Sequence, residues 1–383
     1  MRILLLTPGD PFNHRSWSGT LNFITTSIQK LGHEVLWHGK IPRASLLLRL
    51  KIILYNLFTG EKYRWKHSIE HSKRISKIIT ARIKNIDYDL ILVIAASTES
   101  AFVNINVPII YISDATFDSM VNYEKSFSNI SSRSIEEGNY LEKKILQRST
   151  YILYPSNWPI NSALKYYGIS EKKIIKAKFG PNLPGLPKKY KLKDINLKQE
   201  KILKLLFVGV KWKSKGGPIA IEALKKLNER GINTELTVVG CKPKVEKCNG
   251  LIITDFLDKS NEQDLKRIWD LYYSSHFLIL PTRNEAVGIV FSESAAFGLP
   301  CVAPNTGGIP DYIEDNITGR LLELSANGKD YADVIENIWN DKVKYRKMKI
   351  ASRKKYEQEL NWTKWGEQFQ LALDTINNKH NTE

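Results

Sequence analysis

Phe277–Asp311 reads FLILPTRNEAVGIVFSESAAFGLPCVAPNTGGIPD, and its pattern decides the fold. Phe277–Leu280 is a short, wholly apolar run of the kind that makes a buried strand. Pro281 closes it, a polar loop carries Glu285, and a helix is expected from near Gly288 to Phe297. Gly298 stops that helix and Pro300–Ala303 begins another apolar run. Strand, loop, helix and strand in this order make one βαβ unit of a parallel sheet.

The unit also carries chemistry. Glu285 lies in the loop at the carboxyl end of a strand, where open α/β sheets bind their ligands. Glu293 lies inside the helix, ~7.5 Å along its axis from Gly288 at ~1.5 Å per residue. Between the two acids, the backbone amides of Ala286 to Ile289 are expected to form a helix N-terminus that favours an anion. Two hydroxyl-binding carboxylates flanking an anion-binding turn suit a nucleotide sugar. The plainer reading is a dipole partner at the helix start and a solvated acid further in.

Outward from this stretch the same alternation covers the chain. Expected strands in the first half are Arg2–Leu6, Glu34–Trp37, Leu90–Ile94, Ile109–Ile112, Tyr151–Tyr154 and Ile174–Lys178, with a helix over Ser132–Gln147. Gly180–Pro187 (GPNLPGLP) is the strongest break. A second series follows it, with strands at Leu203–Val208, Glu235–Val239 and Leu251–Thr254 before the opening stretch. Its helices are expected at Gly217–Arg230 and Glu262–Ser274. The tail from Tyr331 reads as helical and ends in Trp362–Asn377, with Trp362, Trp365 and Phe369 on one face. The expected class is α/β, two Rossmann-like doubly wound domains facing across a cleft. They divide as residues 1–183, a linker 184–202, residues 203–358, and a C-terminal helix 359–383 that crosses back to the first domain.

Composition excludes several classes. The 383 residues are 42% hydrophobic, which rules out disorder despite a net charge of +17. Three cysteines, Cys241, Cys248 and Cys301, neither staple a chain of this length nor match a zinc pattern, and they suit a reducing cytoplasm. His14 and Arg15, after the first strand, are candidates to touch a phosphate or an acceptor. Ala44–Phe58 is the most apolar stretch, but Arg49 and Lys51 interrupt it and it is shorter than the ~20 residues of a membrane span. Between Lys40 and Lys84 twelve Lys and Arg stand against only Glu61 and Glu70, a local charge of +10. A second basic run covers Lys188–Lys201.

Glu285 and Glu293 in this setting resemble the E-x7-E signature of retaining GT-B glycosyltransferases, specifically family four. Leu206-Phe207-Val208-Gly209 with Lys215-Gly216 is similar to the opening of that family's second domain. Phe179-Gly180-Pro181-Asn182 resembles its strand end before the linker, and Ser18-Gly19-Thr20 resembles its small-residue loop under the donor phosphates. The resemblance implies a metal-independent transfer of a hexose-type sugar from a nucleotide-diphosphate sugar to a polysaccharide or glycolipid precursor, with no cofactor. Glu285 would hold the sugar hydroxyls and Glu293 the ribose. Gly19, Gly209, Val287, Gly288 and Ile289 would line the donor, and Lys215 would neutralise the diphosphate.

Two departures stand out. Many relatives carry an Arg after the glycine of the second-domain strand; here the position is Val210, and Lys211 or Lys213 is the candidate substitute. Many also carry a His at the end of a strand matching Ile109–Ile112. Here the chain continues Ser113-Asp114, and Asp114 is either a sugar-binding group or a turn residue.

The basic segment leaves other readings open. Tyr63 and Trp65 among cations would suit a polyanion binder, but no nucleic-acid module signature occurs. A sugar-nucleotide epimerase of the same fold is a further alternative. Leu46, Leu47, Leu50, Ile53, Leu54 and Leu57 at helical spacing, bordered by Arg43, Arg49 and Lys51, suit an amphipathic helix on an anionic membrane surface. They suit equally a core-packed helix with a solvated basic side. The expected location is cytoplasmic, at the inner face of the membrane.

Overall fold

The computed structural model describes residues 1–40, 46–186 and 200–380. They form two compact units, Met1–Lys178 with Trp362–Glu383, and Phe179–Asn361. Arg43, Ala44, most of the expected linker 184–202 and most of the Lys188–Lys201 run lie outside the described residues.

Helices of eight residues or more are numbered here. The first unit begins with β1 (Arg2–Leu6), α1 (Thr20–Lys30), β2 (Glu34–Trp37), α2 (Leu46–Thr59) and α3 (Ile69–Ile83). It continues with β3 (Leu90–Ile94), β4 (Ile109–Ile112), α4 (Ser132–Arg148), β5 (Tyr151–Tyr154), α5 (Asn157–Lys165) and β6 (Ile174–Lys176). The second unit contains β7 (Leu203–Val208), α6 (Gly217–Glu229), β8 (Thr234–Val239), β9 (Leu251–Ile253), α7 (Glu262–Ser274) and β10 (Phe277–Ile279). It closes with α8 (Ile289–Ala296), β11 (Cys301–Pro304), β12 (Gly319–Leu322), α9 (Gly328–Asn340) and α10 (Lys342–Gln358). The final helix, α11 (Trp362–His380), belongs to the first unit.

Both sheets are parallel. The first has the order β2-β1-β3-β4-β5-β6 and the second β12-β11-β10-β7-β8-β9. Helices cover both faces of such a sheet, so its strands are apolar throughout rather than alternating. Ile3–Leu6 and Leu90–Ile94 are accordingly buried to the last residue. In each sheet the first strand is flanked by the next strand on one side and a later one on the other. The order therefore reverses beside β1 in the first unit and between β7 and β10 in the second. At such a switch point the loops leave the sheet in opposite directions and open a crevice at the strands' carboxyl ends.

Helix α3 uses its Ile75, Ile79 and Ile83 to cover the first sheet, while Lys73, Lys77 and Arg82 face solvent. Part of the +10 segment is thus an ordinary solvated helix face. Helix α11 buries Trp365, Phe369, Leu373 and Ile376. Trp365 stacks on Phe369 at 5.4 Å, and Trp362 stacks on Phe23 of α1 at 5.6 Å. Each such side chain contributes about 1.5–3 kcal/mol of burial.

The boundary before the second unit falls earlier than residue 183. Phe179, Asn182 and Leu183 are buried, the Phe179 amide donates to Tyr312 Oη at 2.9 Å, and Ser292 Oγ donates to the Phe179 carbonyl at 2.9 Å. These bonds make Phe179–Leu183 part of the second unit, which begins at Phe179. No described helix is long and apolar enough to cross a membrane.

Candidate active site

At the switch point of the second sheet, two loops leave adjacent strands. The loop after β7 carries Gly209 to Gly216 and the loop after β10 carries Pro281 to Gly288. They are stitched together along their length. The Arg283 amide donates to the Ser214 carbonyl at 2.9 Å, and Ser214 Oγ donates to Asn284 Oδ1 at 3.0 Å. The next step along both loops is an ion pair between Lys215 Nζ and Glu285 Oε2. Lys215 is 21% exposed and Glu285 15%, so solvent screens the pair only partly.

Glycines make this approach possible. A Cβ at Gly209 would lie 3.2 Å from the Lys215 stem, so the bare backbone there gives the lysine its path toward Glu285. Gly216 is left-handed at φ +77, and a Cβ on it would overlap the Pro281 carbonyl of the partner loop. On the other loop, the Glu285 carbonyl accepts the Gly308 amide at 3.2 Å, which fixes the acid against the turn after β11.

Helix α8 begins one residue later than Gly288, which is its N-cap in a left-handed conformation (φ 74, ψ 70). Ala286 and Val287 therefore belong to the loop, and Val287 is buried. The Phe291 amide is bonded to the Gly288 carbonyl at 2.9 Å, so the first-turn amides of Ile289 and Val290 are the ones at the helix start. The expected amide set, Ala286 to Ile289, is thus shifted toward the helix.

Glu293 is fully buried on α8 and is not solvated. Its Oε2 accepts from Tyr272 Oη at 2.8 Å, and its Oε1 pairs with Lys259 Nζ. Burial, reinforced by the Glu293 charge, drives the Tyr272 phenol well above its ordinary pKa, so it remains a donor. A buried carboxylate needs such partners, because an unpaired buried charge is strongly destabilising. Lys259 and Tyr272 were not singled out from the sequence. Lys259 sits in a loop with no motif, and Tyr272 lies within the helix Glu262–Ser274 without a motif of its own.

Lys211 and Lys213 are exposed, and of the three cations in the loop only Lys215 reaches Glu285. In the first unit, Asp114 follows β4 and accepts from Trp17 Nε1 at 3.2 Å. Trp17, Ser18 and Gly19 run consecutively at positive φ (49, 57 and 90) before α1, a conformation that costs the two non-glycine residues energy. His14 and Arg15 are exposed in the same loop. The sequence also contains an Asp-x-Asp, Asp87-Tyr88-Asp89, but it lies at the amino end of β3. There Asp87 pairs with the Arg2 guanidinium at 2.6 Å and Asp89 accepts the Arg2 amide at 2.6 Å. Among the described residues no cluster of three His, Cys, Asp or Glu could hold a metal ion.

A lysine, two carboxylates and a helix start at one switch point suit a ligand with an anion between two hydroxylated parts. Residues 188–355 match the family model described as glycosyl transferases group 1. That stretch is similar to the family. It contains both acids and Lys215. Among curated proteins, the chain is 31% identical over 148 residues to a D-inositol 3-phosphate glycosyltransferase of Corynebacterium aurimucosum, over 35% of this chain and 34% of that one. The matched part spans between a third and somewhat over half of the first curated relatives.

Among solved structures, WaaG, a glycosyltransferase involved in lipopolysaccharide biosynthesis, aligns with TM-score 0.64 at 17% identity, over 98% of this chain and 99% of that one. Anabaena HepE in complex with UDP-glucose aligns with TM-score 0.62 at 13% identity, over 98% of this chain and 100% of that one. The fold is GT-B, two parallel six-stranded α/β units.

Proposed function

We propose that this chain is a retaining, metal-independent hexosyltransferase that takes its sugar from a nucleoside-diphosphate donor. The observation that carries the reading is the pairing of Lys215 with Glu285 at the second sheet's switch point, with Glu293 buried on the following helix. Glu285 accepts hydroxyls of the donor sugar, and Glu293 those of the ribose in exchange for its contact with the partly exposed Lys259. The diphosphate lies against Lys215 and the first amides of α8, with Lys211 and Lys213 adding positive charge from the same loop.

The bond from the anomeric carbon to the leaving phosphate breaks through an oxocarbenium-like state. Charge gathers on the diphosphate as it leaves, and Lys215 with the α8 amides stabilises it there. Those protein groups take the place of a divalent ion, so activity persists in chelator. The departing phosphate accepts the proton of the acceptor hydroxyl, which attacks from the same face and retains configuration. In the first unit Asp114, held by the Trp17 indole, is the group we assign to an acceptor hydroxyl.

The solved relatives include one that binds UDP-glucose and one of lipopolysaccharide biosynthesis. On that likeness the donor is a UDP-hexose or a close analogue, and the acceptor is a cytoplasmic precursor of a cell-surface polysaccharide or glycolipid. A thermal-shift panel of UDP-, GDP- and dTDP-sugars tests the donor assignment. One nucleotide class should raise the melting temperature in proportion to ligand excess over Kd. A flat panel at millimolar ligand would remove the donor site from the reading.

A further inference from the structure

Helix α2 is built the wrong way round for a surface helix of a soluble protein. Its sequence, LLLRLKIILYNLFT, contains no acid. Leu50, Ile53, Leu54, Leu57 and Phe58 are each more than half exposed, Leu57 at 75% and Phe58 at 86%. They recur at i, i+3, i+4, i+7 and i+8, which is one continuous helix face. Elsewhere in the first unit that face is turned to the sheet; here it is turned outward.

The opposite side of α2 attaches it to the unit. Ile52 is buried against Tyr63 and Trp65. Asn56 Oδ1 accepts the Tyr63 amide at 2.9 Å, and the Tyr55 and Tyr63 rings lie 5.2 Å apart. Tyr63 is anchored in turn by its hydroxyl, which donates to Glu137 of α4 at 2.7 Å. The outward apolar face is therefore held in place by polar and aromatic contacts behind it.

We infer that α2 is a docking helix for an anionic lipid surface, with its apolar face entering the headgroup–acyl boundary. Charge selects this occupant. α2 itself has no acid, and the chain that follows it exposes Lys62 and Lys66. An exposed apolar helix face with cations next to it in the chain is what an interfacial helix presents to anionic headgroups. Of the acids nearby, Glu61 is engaged by Tyr55 Oη at 3.4 Å and Glu137 by the Tyr63 hydroxyl at 2.7 Å. A second copy of the chain would bring the same cations face to face, which disfavours self-association through this surface. The inference does not depend on the transfer reading, since its surface lies wholly in the first unit.

The test is flotation of the full chain with phosphatidylcholine vesicles, alone and with about one-third phosphatidylglycerol. Leu57→Glu/Phe58→Glu is compared with wild type; both residues face outward, so the variant keeps the contacts behind α2. Wild type should float with the mixed vesicles and lose binding as salt rises. The double variant should bind at least about tenfold more weakly. Lys62→Gln/Lys66→Gln should weaken binding to the mixed vesicles and abolish the salt dependence in part. Melting temperature and UDP affinity, measured on each variant, should match wild type and separate a failed docking surface from a failed donor site. Wild type that floats with neither vesicle, or a double variant that floats as well as wild type, overturns the inference. So does a concentration-dependent dimer that the double variant dissolves in the absence of lipid.

Discussion

Removing the Lys215 ammonium and removing the Glu285 charge should have opposite consequences for a diphosphate. Without donor, the two groups satisfy each other. When the diphosphate arrives, Lys215 exchanges a carboxylate for phosphate oxygens. Lys215→Ala deletes a charge-assisted contact worth about 1.5–3 kcal/mol, which is about 10- to 150-fold in affinity. UDP binding should therefore weaken by that factor. Glu285→Gln removes the competitor for Lys215 and leaves the phosphate contact intact, so UDP affinity should hold or rise. The same substitution weakens the grip on the sugar, and turnover of the intact donor should fall by roughly a hundredfold. The pair is partly exposed, at 21% and 15%, so either change should cost no more than about 1 kcal/mol of stability. Calorimetric titration of each variant with UDP, a turnover assay with the intact donor and thermal melts together read all four effects. If Lys215→Ala binds UDP within twofold of wild type, or if both variants change UDP affinity in the same direction, the assigned roles are wrong.

Gly216→Ala should abolish donor binding and lower stability by about 3 kcal/mol or more, because its left-handed backbone and the Pro281 carbonyl leave no space for a methyl group; a denaturant melt checks it. Glu142 offers a pH test within the first unit. Burial raises its carboxyl to about 7, against 4.5 when unfolded, while Tyr111 Oη donates to it at 2.9 Å. The folded state thus holds a proton that the unfolded chain has released. This group's contribution is complete below pH 4.5 and is lost as pH rises through 7. Glu142→Gln should gain on the order of 3 kcal/mol relative to wild type between pH 5 and pH 8, read from urea midpoints. Some slope should remain, since burial also raises Glu99 to about 7.

The parallel sheets were legible because their central strands, such as β1, β3, β4 and β5, are largely buried and read as apolar runs. β1, β2, β3, β4, β5 and β7 begin and end where the apolar pattern does. β12 was not legible. Its Gly319 and Arg320 do not look like a strand, and the glycine is there because the Cys301 carbonyl lies where a side chain would start. Glu285, Glu293 and Lys215 were found through spacing and resemblance, but their partners were not. Which cation would meet which acid depends on β10 lying beside β7, strands separated in the sequence by α6, β8, β9 and α7. Lys259 and Tyr272 reach Glu293 by the same kind of tertiary accident, without any local signal. The apolar spacing of α2 was plain, yet spacing alone does not say whether a face turns inward. Only the position of Ile52 against Tyr63 and Trp65 decides that.

The central claim is that the switch point of the second unit moves a sugar from a nucleotide with retention. Nuclear magnetic resonance of the protein with its donor and a saccharide acceptor tests it most directly. The account predicts free nucleoside diphosphate and a new glycoside of the donor's anomeric configuration, with both signals lost in Glu285→Ala. A donor recovered as its epimer, a product of inverted configuration, or turnover undiminished in Glu285→Ala would contradict it.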